Sequence, residues 1–280
     1  MQVAHLEPGA QASAPSGNRN EFHQYGGIPV KRAAGSNSRK HAGQKVLVLD
    51  VGGTHVKALA SGQKAPREFA SGPKMTPSHM VRQVKELVKD WSYDRISIGY
   101  PGPVIHGRVL RDPYNLGHGW VRFDFRKAFG RPVRLINDAA MQALGSYQGG
   151  RMLFLGLGTG LGSTMIVDGV LQPMEIAHLP YKKGRSYEDY VGIQGLERLG
   201  KKKWRKHVAK VVEELKAALE ADYVVLGGGN VKKLKQLPKG AREGTNRNAF
   251  IGGFRLWGAA FNPAEGVTTR TNSRKKPAMR

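Results

Sequence analysis

The sequence predicts an α/β protein built as two lobes, and three observations support this fold class. Short apolar runs rich in β-branched residues alternate with segments in which apolar residues recur at helical spacing. Glycine-rich turns follow predicted buried strands at three places, near residues 52, 158 and 227. A chain of 280 residues, 40% of them hydrophobic, can bury one large core or two modest ones, and we expect two.

The first glycine turn connects a predicted strand that ends near Asp50 to a second predicted strand over residues 54–60. Gly52 and Gly53 allow the backbone to turn tightly and approach a phosphoryl group, so that amide N–H groups donate to its oxygens. Asp50 is a candidate Mg²⁺ ligand, because Mg²⁺ favours oxygen ligands and keeps several waters. The alternative is an ordinary hairpin turn without a ligand, and two matching stretches farther along the chain weigh against it.

Those two stretches are residues 153–167 and residues 223–230. The first repeats the order strand, Gly/Thr turn, strand, and its turn over residues 158–162 is interpreted as a second phosphate loop. Its spacing does not fit G-x-G-x-x-G, and the chain contains no Gly-Lys-Ser/Thr, so neither of those nucleotide-binding folds is supported. The second stretch ends in Gly227-Gly228-Gly229, which is either a plain turn or a floor for a nucleotide.

Between these loops, the sequence predicts the helices and strands that carry polar candidates. Thr76-Pro77 is typical of a helix start, and a predicted strand over residues 133–136 runs into Asn137-Asp138 and then a helix. Asp138 has two open roles, as a helix cap or as a catalytic carboxylate at the carboxyl end of a strand. An amphipathic helix is predicted over residues 204–220, and a Gly- and Ala-rich helix suited to close packing over residues 248–261.

Several other polar residues have both a plain and a functional interpretation. Asn115 is an ordinary turn residue or a ligand for a sugar hydroxyl, and Trp120 nearby is expected in the core. Glu175 and His178 form an acid–imidazole pair of a kind that is usually a surface feature, and no further ligands suggest a zinc site. Glu188 contributes another acid.

The strongest compositional anomaly is a formal net charge of +24, with a sequence pI near 10.4. This positive charge indicates a polyanionic partner. Nucleic acid and a long inorganic phosphate chain would complement the charge equally well. The bases concentrate in two runs, six between Arg198 and Lys206 and five between Lys232 and Arg242. The alternative is that both runs are only solvated faces.

The chain has no cysteine, which excludes disulfides and thiolate-bound zinc. It has no apolar run long enough to span a bilayer and no secretory signal pattern, so we expect a cytoplasmic protein without membrane contact. We predict a disordered tail at residues 1–43, one lobe at 44–134, a second lobe at 135–261 and a basic flexible tail at 262–280. The last helix is a candidate to return to the first lobe.

The three loops together resemble the phosphate and adenosine motifs of the ROK family of sugar kinases, within the actin/hexokinase/Hsp70 superfamily. The resemblance covers about residues 45–261, and it implies a ribonuclease-H-like/actin-like ATPase fold with a cleft between the lobes. Four further stretches are similar to the polyphosphate glucokinase branch: Gly99-Tyr100-Pro101-Gly102, Asn115-Leu116 with Trp120, Asn137-Asp138-Ala139 and Glu175-x-x-His178.

The resemblance implies a role for each candidate. Asp138 would be the general base, and Asp50 would hold Mg²⁺. The sugar-binding residues would be Asn115, Asn137, Glu175, His178 and Glu188. The phosphate-binding residues would be Gly52, Gly53, Thr54, Lys57, Gly158, Thr159 and Gly160. The donor-binding residues would be Gly227, Gly228, Gly229, Lys232 and Lys233.

Two departures from the family pattern matter. The family's Cys-rich zinc motif is missing, so no zinc is expected, and Ala177 stands where the family has a glycine before its histidine. Residues 1–43 also lack the periodicity of the winged helix that ROK repressors carry, which argues against a repressor. The resemblance suggests a homodimer.

The expected function is transfer of a phosphoryl group from inorganic polyphosphate, with ATP as a further donor, to the 6-hydroxyl of glucose. One alternative is an ATP-only hexokinase for glucose or another hexose. The alternative of another class is a non-catalytic binder of polyanions or nucleic acid on a ROK scaffold. Asp138 argues against that class, because a pure binder has no need for a carboxylate beside two phosphate loops.

Overall fold

The structure, a computed structural model, describes residues 28–29 and 44–258. Most of the predicted N-terminal tail and the whole basic tail from residue 262 lie outside the described residues. In chain order the strands and helices are β1 (Ile28–Pro29), β2 (Val46–Val51), β3 (His55–Ala60), β4 (Arg67–Ala70), α1 (Pro77–Leu87), β5 (Arg95–Tyr100), β6 (Val104–Ile105), β7 (Arg108–Val109), α2 (Phe125–Phe129), β8 (Val133–Asn137), α3 (Asp138–Ser146), β9 (Arg151–Leu157), β10 (Leu161–Val167), β11 (Val170–Met174), β12 (Pro180–Lys182), β13 (Arg185–Ser186), α4 (Tyr187–Val191), α5 (Ile193–Ala218), β14 (Tyr223–Gly227), β15 (Ala241–Glu243) and α6 (Arg247–Arg255).

The first large sheet has the strand order β4-β3-β2-β5-β8. Strands β2, β5 and β8 are parallel, whereas β2 and β3 form the antiparallel hairpin predicted around the first glycine turn. The expected division between residues 134 and 135 falls inside β8. Its pairing with β5 runs from Val133 to Asn137, so the first sheet continues to Asn137.

Helix α1 covers one face of this sheet, and its start follows the predicted pattern. The Thr76 side chain caps it by accepting a hydrogen bond from the His79 amide at 3.3 Å, with Pro77 in the first turn. Met80, Val81 and Val84 face the sheet and are buried. Trp120 is fully buried in the same core, as expected from the sequence.

The second large sheet has the strand order β1-β11-β10-β9-β14-β15. Strands β9, β10 and β11 form an antiparallel meander, and β14 pairs in parallel with β9. The amphipathic helix expected over residues 204–220 is the second half of α5, which breaks at Gly200, where φ is 71°. Val208, Val211, Val212 and Leu215 lie in the core against this sheet, as their spacing predicts.

Helices α3 and α6 form a layer with residues of both sheets in a common core. They approach so closely that a Cβ added at Gly252 would lie 1.8 Å from the carbonyl oxygen of Met141. Helix α6 is also fixed to the first sheet, because the buried Ser97 hydroxyl donates to the carbonyl of Gly253 at 2.6 Å and accepts from Trp257 Nε1 at 3.0 Å. The close packing predicted for the last helix is therefore present.

Candidate active site

The site is built on the carboxyl ends of the parallel strands β2, β5 and β8. Asp50 on β2 pairs with Gly99 on β5, which in turn pairs with Ile136 on β8. A Cβ at Gly99 would lie 2.4 Å from Met141 Cε and 3.5 Å from Asp138 Cα. Because Gly99 has no side chain, the first turns of α3 can lie directly on β5, which brings Asp138 toward Asp50.

Asn137 caps helix α3, and Asp138 follows it as the first helical residue. The Asn137 side chain accepts from the Ala140 amide at 3.1 Å and donates to the carbonyl of Gly102 at 3.0 Å. Asp138 Oδ1 accepts from its neighbouring Ala139 amide at 2.8 Å. The helix is therefore capped by Asn137. The capping role considered for Asp138 is not the one that this residue has.

The carboxyls of Asp50 and Asp138 have raised pKa values. Burial raises the pKa of Asp138 to about 7, and the charge of Asp50 adds to the increase. Burial raises the pKa of Asp50 to about 6, although the Lys57 ammonium opposes this. Lys57 pairs with Asp50 across the β2–β3 hairpin and lies 4.0 Å from Glu68. Two neighbouring carboxylates that are largely shielded from water repel each other. A divalent cation bound beside them would stabilise the charged form of both.

The first phosphate loop is held in a defined shape by backbone contacts. The Gly52 amide donates to the carbonyl of His55 at 2.9 Å, and the Ser71 hydroxyl donates to the carbonyl of Gly52 at 2.6 Å. A Cβ at Gly53 would lie 2.9 Å from Asn115 Cβ. Asn115 therefore lies against the first phosphate loop, and its side chain and that of Thr54 are exposed.

The second phosphate loop, residues 158–160, joins β9 to β10 and lies beside the start of α3. A Cβ at Gly162 would lie 2.9 Å from Ala139 Cβ, one residue beyond Asp138. Inside the loop, the Gly158 amide donates to the carbonyl of Gly160 at 3.1 Å, and the Thr159 carbonyl accepts from the Ile193 amide at 3.1 Å. The structure thus brings the second loop to the same helix start that carries Asp138.

Glu188 joins the second loop to the turn that carries His178. Its Oε2 accepts from the Leu161 amide at 2.9 Å, and its own amide donates to the Ala177 carbonyl at 3.0 Å. The hydrogen bond from Leu161 is made to Oε2 of Glu188 and does not involve Oε1. Glu175 and His178 have exposed side chains around this turn.

The third glycine loop packs on the second. Gly228 has a φ of 84°, a conformation that favours glycine, and a Cβ there would lie 2.5 Å from the Leu157 carbonyl oxygen. Asn230, only 6% exposed, donates from its backbone to Leu157 at 2.9 Å and from its side chain to the Gly158 carbonyl at 2.8 Å. Sequence reasoning missed Asn230, and its signal was a polar residue directly after three glycines at the end of a buried strand.

Lys232 and Lys233 follow this loop in a single turn of 3₁₀ helix, with Lys232 exposed and Lys233 half-buried. The Lys233 carbonyl accepts from Arg205 Nε at 2.7 Å. Arg205 belongs to the basic run of α5, so the two basic runs predicted from the sequence are neighbours in space.

Within residues 44–258, no cluster of three or more His, Asp or Glu side chains is arranged to hold a metal ion. A metal at Asp50 would therefore take most of its ligands from water or substrate, as Mg²⁺ commonly does. Among the described helices, none is long and apolar enough to cross a bilayer.

The two large sheets, each with a hairpin around a glycine turn, and the helix start that carries Asp138 have the arrangement of the actin-like ATPase fold. The ROK family model matches residues 46–173. These comparisons confirm the resemblance to the ROK family that the sequence motifs predicted.

The chain is 27% identical to a polyphosphate glucokinase of Mycobacterium tuberculosis (strain CDC 1551 / Oshkosh) over 229 residues, which cover 74% of this chain and 84% of that protein. It is 31% identical to a glucokinase of Pyrobaculum calidifontis over 134 residues, or 45% of each chain.

Among solved structures, the inorganic polyphosphate/ATP-glucomannokinase of Arthrobacter sp. strain KM matches with a TM-score of 0.64 at 23% identity, covering 75% of this chain and 96% of that one. A ROK family glucokinase of Streptomyces griseus, solved with glucose and AMPPNP, matches with a TM-score of 0.56 at 16% identity, covering 74% and 97%. These likenesses confirm the predicted fold.

Proposed function

We propose that this protein is a glucokinase that transfers a terminal phosphoryl group from inorganic polyphosphate, with ATP as a second donor, to the 6-hydroxyl of glucose. The observation that carries the proposal is that Asp138 lies close to Asp50, at the end of the strand that leads into the first glycine loop, and that the second loop packs on the helix that begins at Asp138. Gly53 and Asn115 belong to one wall of the site, and Gly162 packs the second loop against the helix that begins at Asp138. The similarity to polyphosphate glucokinases and to a glucokinase supports the choice of glucose.

Asp138 is the general base in this proposal. As the 6-hydroxyl oxygen forms its bond to phosphorus and the bond to the donor's bridging oxygen breaks, Asp138 accepts the hydroxyl proton. A base with a pKa of about 7 is suited to work near neutral pH, and such assistance is worth roughly 10²–10⁴-fold in rate. Phosphoryl transfer otherwise asks the protein for positioning and charge neutralisation.

The sugar hydroxyls would be bound by side chains from both sides of the site. Asn115 would contribute from the first lobe, and Glu175, His178 and Glu188 from the second, since a polar ligand needs several convergent donors and acceptors. Asn137 would use the second N–H of its amide, because the first donates to Gly102.

The transferring phosphate would be held between the two loops. Backbone amides of Gly52, Gly53 and residues 158–160 and the Thr54 hydroxyl would donate to phosphoryl oxygens, with Lys57 nearby. Asp50 would hold Mg²⁺, which when bound neutralises charge on the phosphoryl oxygens. Closure of the lobes would exclude water that competes with the sugar as acceptor.

The basic surface supports polyphosphate as the donor. The donor loop of Gly227, Gly228 and Gly229 leads directly to Lys232 and Lys233, and the Arg205–Lys233 contact joins this segment to the basic run of α5. A phosphate chain that leaves the donor loop would thus pass one continuous cationic surface instead of two separate patches.

The first experiment measures glucose 6-phosphate formation by the purified protein with Mg²⁺, using long-chain polyphosphate and ATP side by side. Turnover with polyphosphate is the expected result. Turnover with ATP alone would replace the proposal by an ATP-dependent hexokinase, to be tested with mannose and N-acetylated sugars. Absence of product with every donor and sugar, together with nucleic-acid binding at physiological salt, would favour the non-catalytic binder.

A further inference from the structure

The segment between Tyr100 and Trp120 contains a loop whose shape depends on one carboxylate. Asp112 Oδ1 accepts from the Trp120 amide at 2.8 Å and from the Val121 amide at 3.4 Å, and Oδ2 accepts from the Gly119 amide at 3.3 Å. His118 Nδ1 lies 3.3 Å from Oδ2. These donors, the Trp120 amide most of all, hold the pKa of Asp112 below its ordinary value, so the carboxylate is charged at neutral pH.

This contact closes a loop whose base is fixed in the core. At its start, the hydroxyl of buried Tyr100 donates to the Arg111 carbonyl at 2.9 Å. At its end, the ring of buried Trp120 packs 5.6 Å from that of Tyr100. In between, the Gly117 amide donates to the Met75 carbonyl at 3.0 Å. Asp112 therefore joins the two ends of the loop at its base.

The apex of this loop carries Asn115, which lies against Gly53 of the first phosphate loop. Asn115 is exposed, and its neighbour Tyr114 is 98% exposed, so little packing of their own side chains holds the apex in place. Buried Pro113 and Leu116 flank the apex, and the backbone contacts at the base of the loop act with them to position Asn115. Among those base contacts, the charged acceptor Asp112 takes three amides at once.

We propose that Asp112 is a positioning residue for the acceptor sugar, which it serves by holding the Asn115 loop in its binding shape before glucose arrives. The inference rests on the proposed glucokinase function. Preorganisation of a loop lowers the ordering cost of binding, so loss of the clamp is expected to weaken sugar binding more than it slows transfer.

The test compares Asp112→Asn with wild type in steady-state kinetics. An asparagine keeps one oxygen that can accept from the Trp120 and Val121 amides, but it turns an NH2 group toward the Gly119 amide and removes the negative charge, so the clamp is weakened while the side-chain volume is kept. We expect the KM for glucose to rise about tenfold, with kcat at saturating glucose within about twofold of wild type and the donor KM unchanged.

Asp124→Asn is the matched control. Asp124 is an exposed carboxylate that caps α2 by accepting from the Lys127 amide at 2.9 Å, outside the loop. It should leave the glucose KM unchanged. Tyr100→Phe is a second test variant for the case that Asp112→Asn folds poorly. It removes the hydroxyl at the start of the loop and keeps the buried ring, and it should also raise the glucose KM.

The outcomes separate the inference from the function on which it rests. Wild-type protein that does not phosphorylate glucose would overturn the proposed function and the inference with it. If the wild-type protein phosphorylates glucose but Asp112→Asn and Tyr100→Phe have an unchanged glucose KM, the positioning role of Asp112 is overturned and the proposed function stands. A raised glucose KM in Asp124→Asn as well would reduce the effect to general destabilisation and also overturn it.

Discussion

Asp138 is free for chemistry because Asn137 caps the helix. We predict that Asp138→Asn lowers kcat by about 10²-fold or more while the far-UV circular dichroism and the glucose affinity stay close to wild type, because the amide keeps the size of the carboxylate and cannot accept the proton. Rate assays with both donors and equilibrium dialysis with glucose make the comparison. A variant with wild-type turnover would remove Asp138 from the role of base.

The raised pKa of Asp138 also predicts a pH-dependent stability. A carboxyl whose pKa is about 7 in the folded protein and 3.8 in the unfolded chain costs stability as the pH rises from about 4 to about 7, because ionising it is harder in the folded state. Asp138→Asn removes that cost. We expect the free energy of unfolding of the variant to exceed that of wild type by on the order of 4 kcal/mol at pH 8 and to differ little at pH 4.

Urea unfolding in metal-free buffer at several pH values measures this difference. Metal is left out because a cation near Asp50 and Asp138 would itself favour the charged carboxylates. A stability difference that stays constant from pH 4 to pH 8 would contradict the raised pKa.

At the scale of elements, Asn230 links the third glycine loop to the second. Asn230→Ala removes the side-chain donor that reaches the Gly158 carbonyl. We predict that this loosens the donor loop, raises the KM for both donors several-fold and leaves the glucose KM near its wild-type value. Initial rates at varied donor and varied glucose separate the two effects. A change in glucose KM of similar size would argue against a role confined to the donor side.

The packing of α3 on α6 leads to a prediction about stability alone. Gly252→Ala would place a Cβ on the Met141 carbonyl oxygen, a backbone atom that cannot move without the helix. We expect destabilisation of about 3 kcal/mol or more in urea unfolding, because overpacking at a helix contact forces the backbones apart. Arg247→Ala, at an exposed position of the same helix, serves as the control and should change the stability by under about 0.5 kcal/mol.

Local patterns were sufficient to predict most elements that build the site. The hairpin around Gly52 and Gly53, the strand that ends at Asn137 and the buried face of α5 all follow from short-range periodicity, and the structure has each of them. These features depend on neighbours in sequence, which is why they could be predicted.

The features that could not be predicted depend on residues distant in sequence. The three glycines before Asn230 mark it as a candidate, but they do not indicate that its side chain reaches Gly158, and nothing near Arg205 indicates a contact with Lys233. The same holds for the side-chain amide of Asn137, which donates to the carbonyl of Gly102 from another loop. Such contacts are fixed by how the elements pack, and the one-dimensional pattern does not contain them.

At the scale of the whole molecule, the net charge of +24 and the joined basic runs predict a donor-specific salt effect. The KM for long polyphosphate should rise steeply with KCl concentration, and the KM for ATP much less, because a long chain displaces more ions. Lys202→Glu with Lys206→Glu, both exposed on α5, should weaken polyphosphate binding about tenfold at low salt and flatten its salt dependence.

The control is Arg82→Glu with Lys85→Glu on the exposed side of α1, which changes the net charge by the same amount on the first lobe. This pair should leave the polyphosphate KM nearly unchanged. Equal effects from both pairs would mean that the overall charge matters and that the joined surface has no special role.

The attachment of α6 to the first sheet has a consequence for synthesis on the ribosome. Ser97 on β5 finds its hydrogen-bond partners in Gly253 and Trp257, which leave the ribosome 156 and 160 residues later. The first sheet therefore cannot acquire its full native packing while the rest of the chain is still being translated, although its strands are among the earliest made. Packing of this face of the first sheet must wait for α6, and a nascent chain that stalls before residue 247 leaves the apolar face uncovered.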